Sequence, residues 1–141
     1  MSAPLRSVIP WDDVDIVMVD MDGTLLDLAF DNFFWQELVP ACYARHRNLP
    51  EEEARRELLG RYRALEGQLE WYCIDHWSEV LGLDIRALKW EHRHRVQYLP
   101  GAIEFLEAVR RRGKRLLLVT NAHRKTLAVK VAQTGLDLRV D

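Results

Sequence analysis

Between Val14 and Val19 the chain alternates weakly and then runs continuously apolar through Ile16, Val17, Met18 and Val19 before turning polar at Asp20. A short apolar run rich in β-branched residues, ended by Asp, Gly and Thr, predicts a buried strand followed by a tight turn. A second run of the same kind, Arg115 to Thr120, comes after Arg111, Arg112, Gly113 and Lys114, where the glycine reads as a helix stop. Ahead of it, Ile103, Leu106 and Val109 recur at helical spacing between Pro100 and Arg110, and a further helix is expected from Arg124 to Gln133. Strand, long insert, helix, strand, helix is the rhythm of a parallel α/β sheet.

The insert, residues 28–97, reads as helical throughout. Phe30 to Arg45 carries an apolar face, and Pro50 with Glu51, Glu52 and Glu53 opens the next helix with proline in its first turn and acids against its dipole. Glu51 to Glu66 and Gln68 to Leu81 are expected as a hairpin-like pair stopped by Gly82. The expected organisation is therefore a core in residues 1–27, a helical cap in 28–97 and a return to the core in 98–141. Repeats, low-complexity stretches and Gly/Ser-rich linkers are absent from the sequence.

With 141 residues, 48% hydrophobic and 30% charged, the composition is that of one soluble globular domain. A formal net charge of -2 gives no bulk drive toward nucleic acid or an anionic membrane, so neither is expected as a partner. Met1 to Pro10 lacks the apolar core of a leader, and Cys42 and Cys73 have neither disulfide-scaffold nor zinc spacing. A cytoplasmic address with reduced thiols is expected.

In open α/β sheets ligands bind beyond the carboxyl ends of the strands. The first predicted strand ends in Asp20-Met21-Asp22-Gly23-Thr24, and the second in Thr120-Asn121 at the start of a helix, where donors suit a phosphoryl oxygen. Two acids at a strand mouth could simply form a turn. They also repel one another unless a cation sits between them, and Mg2+, held by one or two carboxylates plus waters and substrate phosphate, meets that need.

The segment Asp20 to Asp27, DMDGTLLD, resembles the first motif of the haloacid dehalogenase superfamily, and Thr120-Asn121 matches its second. The longer stretch Asp20 to Val39, with Trp71-Tyr72-Cys73 and Thr120 to His123, is similar to bacterial GMP/IMP 5'-nucleotidases. That resemblance implies an α/β fold: a partial, Rossmannoid parallel sheet with a helical cap inserted after the first strand. It also implies a magnesium-dependent phosphomonoester hydrolase, with Asp20 as nucleophile and Asp22 as general acid and then base. The metal would be held by the Asp20 side chain and the Asp22 main-chain carbonyl, and the phosphoryl oxygens by Thr120 and the amides near Gly23, Thr24 and Asn121. The implied partner is a small phosphate ester, a purine nucleoside monophosphate.

The same resemblance predicts a later lysine and a later pair of acids, and neither is found. Lys125 and Lys130 fall within the helix after the second motif, Asp137 and Asp141 follow no apolar strand, and none is assigned those roles. The isolated chain is therefore expected to be weakly active or inactive, with an unpaired apolar strand edge through which it could self-associate. Asp31, Asn32 and His123 are candidates for substrate contact, although each is also an ordinary helix-start residue. The insert's aromatics, among them Phe30, Phe34, Trp35, Tyr62, Trp71 and Trp77, suit both a helical core and a stacking surface for a base. A sugar-phosphate or phosphoglycolate-type phosphatase is the alternative enzyme, and a non-catalytic interaction module the alternative of another class.

Overall fold

The computed structural model describes residues 8–141; residues 1–7, the front of the stretch inspected for a leader, lie outside the described residues. Two short strands, β1 (Ile16–Val19) and β2 (Arg115–Leu118), pair in parallel with Val17 opposite Leu116 and Val19 opposite Leu118. β1 coincides with the continuous apolar run, whereas β2 stops two residues short of Thr120 because the backbone turns away beyond Leu118. A bond from Val119 N–H to the Val19 carbonyl, 2.8 Å, still holds their C-terminal ends together.

Period-two alternation divides the residues of the pair between two faces. Val19 and Leu116 are buried in one core with Leu106 and Val109 of helix α6 (Ala102–Arg111). Ile16 and Met18 point the other way and are 41% and 68% exposed. Parallel strands usually have both faces covered, so this face is unusually apolar for its exposure. On the outer edge of β2, Asp141 accepts from Leu116 N–H at 2.7 Å and donates its own N–H to the Leu116 carbonyl at 2.8 Å.

The insert begins when Asp27 accepts from Ala29 N–H at 2.8 Å, fixing the entry to α1 (Ala29–Phe33). The helix continues through a π-helical stretch, Phe34–Leu38, into α2 (Val39–Arg47). Pro40 offers no N–H and its ring crowds the preceding turn, which favours a widened register just ahead of it. α3 (Glu51–Leu65), α4 (Ile74–Leu81) and α5 (Ile85–Glu91) follow, and α7 (Arg124–Thr134) comes after β2. Pro50 caps α3 from outside its first turn, one position earlier than the sequence suggests.

The expected helix from Gln68 to Leu81 is instead a 3-10 turn (Leu69–Tyr72), an extended Cys73 and then α4. The Trp77 indole N–H, which donates to the Trp71 carbonyl at 3.0 Å, ties α4 back to that turn. Gly82 ends α4 in the left-handed region at φ 68°, as a helix stop should. Most of the aromatics form the core of the insert: Phe30, Phe34, Tyr43, Tyr62 and Trp77 are buried, with Tyr62 and Trp77 edge to face at 5.2 Å. Phe34 is fully buried at the start of the π stretch, in contact with Phe30 and Trp35. Phe34→Ala should lower stability by about 3–5 kcal/mol in urea unfolding; a loss under about 1 kcal/mol would mean that neighbouring rings close the gap.

Candidate active site

The loop after β1 is wound around one carbonyl. Met21 O accepts from the N–H groups of Thr24, Leu25 and Leu26, at 3.3, 2.9 and 2.9 Å, and Gly23 N–H donates to Leu26 O at 2.8 Å. This buries Met21, Leu25 and Leu26; of the acids on either side of Met21, Asp20 is exposed and Asp22 half-buried. Gly23 has φ 77°, and a Cβ there would lie 3.2 Å from Leu28 Cδ1, so a side chain would be both strained and crowded. The two passages of chain between core and insert are bonded to each other, Asp27 N–H to Gln97 O at 2.9 Å and Leu99 N–H to Leu25 O at 2.8 Å.

The N–H groups of Gly23 and Thr24 thus donate inside the turn. Thr120 Oγ1 accepts from Ala122 N–H at 3.0 Å and keeps its own hydrogen to donate, while the Asn121 side chain is exposed and makes no hydrogen bond to the described residues. His123 caps α7, its Nδ1 accepting from Lys125 N–H at 3.2 Å. On the surface, Asp75 of the insert meets Lys125 Nζ at 2.6 Å and His123 Nε2 at 3.7 Å. The Lys125 hydrogen bond holds the Asp75 carboxyl below the usual carboxylate range.

A cleft of about 480 Å³ lies between these loops and the insert. Asp22, Asp31, Asn32 and His123 all line it, whereas Asp20, Gly23, Thr24, Thr120 and Asn121 stay on the loops that follow the two strands. Its other wall is aromatic, formed by Trp35, Tyr62, Trp71 and Trp77, with Lys89 among them.

Behind Asp22 and Asp31 of the cleft lining is buried Lys130, which the sequence did not nominate. Its side chain is 1% exposed, and its Nζ donates to Asp22 Oδ1 at 2.5 Å and to Asp31 Oδ1 and Oδ2 at 2.8 and 2.9 Å. The cation close to Asp22 is therefore a side chain of α7. Burial raises the Asp22 pKa above the ordinary carboxylate value; Lys130 opposes the rise and the Asp31 charge adds to it. Lys89, equally buried, is pushed down to about 8 by burial. A sequence signal existed for both lysines: Lys130 shares a buried stripe with Thr126 and Val129, and Lys89 lies one turn beyond buried Ile85.

Whether the residues present suit Mg2+ follows from what their oxygens already do. Asp20 is exposed, and its carboxylate has no hydrogen bond or ion pair among the described residues. Asp22 Oδ1 is engaged by Lys130, and the Asp22 main-chain carbonyl accepts no hydrogen bond among the described residues. Two oxygens of this kind fit part of the shell of an ion that keeps several waters. Among the described residues no group of three acids, histidines or cysteines supplies a fuller one. The described residues also contain no helix long and apolar enough to cross a membrane.

Residues 14–141 match the family model for haloacid dehalogenase-like hydrolases. The chain is 49% identical over 133 residues to GMP/IMP nucleotidase YrfG of Escherichia coli (strain K12), covering 94% of this chain and 60% of that protein. The same figures hold for GMP/IMP nucleotidase YrfG of Shigella flexneri. Among solved structures, the HAD phosphatase from Thermococcus onnurineus is similar with a TM-score of 0.77 and 26% identity, over 91% of this chain and 60% of that one. The chain thus spans 60% of the length of these relatives.

Removing Lys130 should leave two partly buried carboxylates facing each other. Lys130→Met is expected to cost about 3–5 kcal/mol at neutral pH, the usual effect of deleting one partner of a buried pair. A carboxyl whose folded pKa is raised adds stability below its unfolded pKa and loses it as pH rises through the folded value. In the variant Asp22 loses its lowering partner, so the deficit relative to wild type should shrink as pH falls through the carboxylate range. Urea unfolding at several pH values measures this; a deficit independent of pH would mean that the loss is one of packing.

Proposed function

The chain belongs to the haloacid dehalogenase-like hydrolases, and on that premise we propose that it carries the nucleophile-bearing part of a magnesium-dependent phosphomonoester hydrolase for purine nucleoside monophosphates. One observation supports this assignment: Asp22, two residues from Asp20, lines a cleft of about 480 Å³ whose far wall offers the rings of Trp35 and Trp71 to a base. The names of the Escherichia coli and Shigella flexneri relatives support GMP and IMP as the substrates.

In the proposed reaction a carboxylate oxygen of Asp20 attacks phosphorus, the bond from phosphorus to the ester oxygen breaks, and its electron pair leaves with that oxygen. Asp22 delivers a proton to the departing oxygen. The Asp22 carboxylate then takes a proton from water, which attacks the aspartyl-phosphate, releasing phosphate and restoring Asp20. Burial suits Asp22 to this alternation, because a raised pKa keeps it protonated to higher pH than an exposed acid, while Lys130 fixes where its carboxyl points. Thr120 and Asn121 would donate to the phosphoryl oxygens, and Gly23 allows the turn. Mg2+, when bound to the Asp20 carboxylate and the Asp22 carbonyl, supplies positive charge that lets an anionic nucleophile approach an anionic phosphate.

Hydrolysis of GMP, IMP, AMP, ribose 5-phosphate and phosphoglycolate, with and without Mg2+, tests the assignment in protein extended to the length of its relatives. GMP and IMP should be turned over fastest, only with the metal, and Asp20→Asn should lower turnover by at least about 10³-fold. Full activity in Asp20→Asn would remove Asp20 from the role, and a preference for the sugar phosphate or phosphoglycolate would replace the substrate.

A further inference from the structure

The chain has four lysines, Lys89, Lys114, Lys125 and Lys130, and the two buried ones are treated very differently by their surroundings. Lys130 is engaged by Asp22 and Asp31. Lys89, on α5 and also 1% exposed, makes no hydrogen bond or ion pair among the described residues. Its Nζ lies 4.2 Å from the ring centre of Phe34, 5.2 Å from that of Trp35 and 5.5 Å from that of Phe30, and the residue lines the cleft. An ammonium has three donors and no acceptor; the Lys89 Nζ is not sealed from the cleft, so a ligand there that carries acceptor atoms can take up donors that no protein oxygen occupies.

We propose that Lys89 reads the base of the substrate, donating to the 6-oxygen and N7 of a 6-oxopurine in the cleft and so selecting such bases over 6-aminopurines. The inference rests on the nucleotidase reading and deepens it. Its placement favours the base over the phosphate. Lys89 issues from the insert, beside Trp35 of the aromatic wall and over the buried rings of Phe34 and Phe30, whereas the phosphate end belongs to the loops after β1 and β2. A 6-oxopurine presents two acceptors along one edge; adenine replaces one of them with an amino donor, which would meet the ammonium donor to donor. A sugar phosphate without a base would leave the ammonium unsatisfied, a mismatch that binding sites penalise strongly. Asp31, Asp22 and Lys130 are the charged groups that act on it; the two acids favour its charged form while burial and Lys130 oppose it.

Nucleoside binding tests this without any phosphate chemistry, since Trp35, Trp71 and Trp77 in the cleft give a fluorescence signal. With the unmodified chain, inosine should bind at least about tenfold tighter than adenosine or purine riboside, which lacks the 6-oxygen. Lys89→Met, which keeps the length and packing of the side chain, should bring the three together, and its thermal melting verifies that it folds. In the extended protein the same variant should collapse the ratio of kcat/KM for IMP to that for AMP. Equal binding of inosine and purine riboside to the unmodified chain, no binding of either, or a Lys89→Met ratio like that of wild type would each overturn the proposal. Discrimination between nucleosides without hydrolysis of any phosphate ester would retain Lys89 and sink the hydrolase.

Discussion

The structure depends on one buried ammonium. Lys130, on the last helix of the chain, inserts between Asp22 on the loop after β1 and Asp31 in the first turn of the insert, 108 and 99 residues away in sequence. Each of these groups would be costly to bury alone, and together they satisfy most of one another's hydrogen-bonding capacity. The orientation of Asp22, the start of the insert and the seating of α7 are therefore a single decision. The outer contact between insert and core, Asp75 with Lys125 and His123, is exposed and open to screening by salt. Registration of the two parts falls to the inner one.

The fold supplies the rest by geometry. Pairing of Val19 with Leu118 brings the ends of β1 and β2 side by side, so Asp20 and Thr120 emerge from neighbouring loops although a hundred residues separate them in the chain. The bonds from Asp27 to Gln97 and from Leu99 to Leu25 bring the insert back where it left. A helical layer with its own aromatic core can then stand over the strand ends as a unit, and the widened turn of the π stretch lies where Trp35 faces the cleft. π-Helical turns of this kind are frequent at functional sites, because they re-aim side chains without ending the helix.

What could be read in the sequence was local: the apolar run into Asp20, the Thr-Asn corner, the glycine that stops α4 and the helical stripes of α6 and α7. Each rests on periodicity or on backbone permissiveness within a few residues. The Gln68 to Leu81 segment was misread because its break depends on Trp77 bonding back to the Trp71 carbonyl, a tertiary preference that helical propensity does not register. That the amides of Gly23 and Thr24 donate within the turn could not be read either, since residue type alone does not reveal which N–H groups a loop uses. Lys130 and Lys89 escaped for a further reason. A lysine on an apolar stripe ordinarily snorkels to water, and only long-range contact distinguishes one that stays in.

The same lysines correct the electrostatic reasoning about the strand mouth. Repulsion between Asp20 and Asp22 is not the dominant interaction there; Asp22 feels Lys130, Asp31 and Lys89, so two acids and two buried lysines act on one another beside the cleft. Asp20 stands outside that balance, exposed and without an ion pair among the described residues. A phosphate ester arriving beside it adds negative charge to negative charge. With Lys130 saturated by carboxylates and Lys89 set back among rings, neither buried cation is positioned to neutralise the reacting pair. In the proposed reaction, positive charge at Asp20 would therefore answer the nucleophile and the phosphate rather than two crowded acids, and a hard divalent cation with oxygen ligands suits that need.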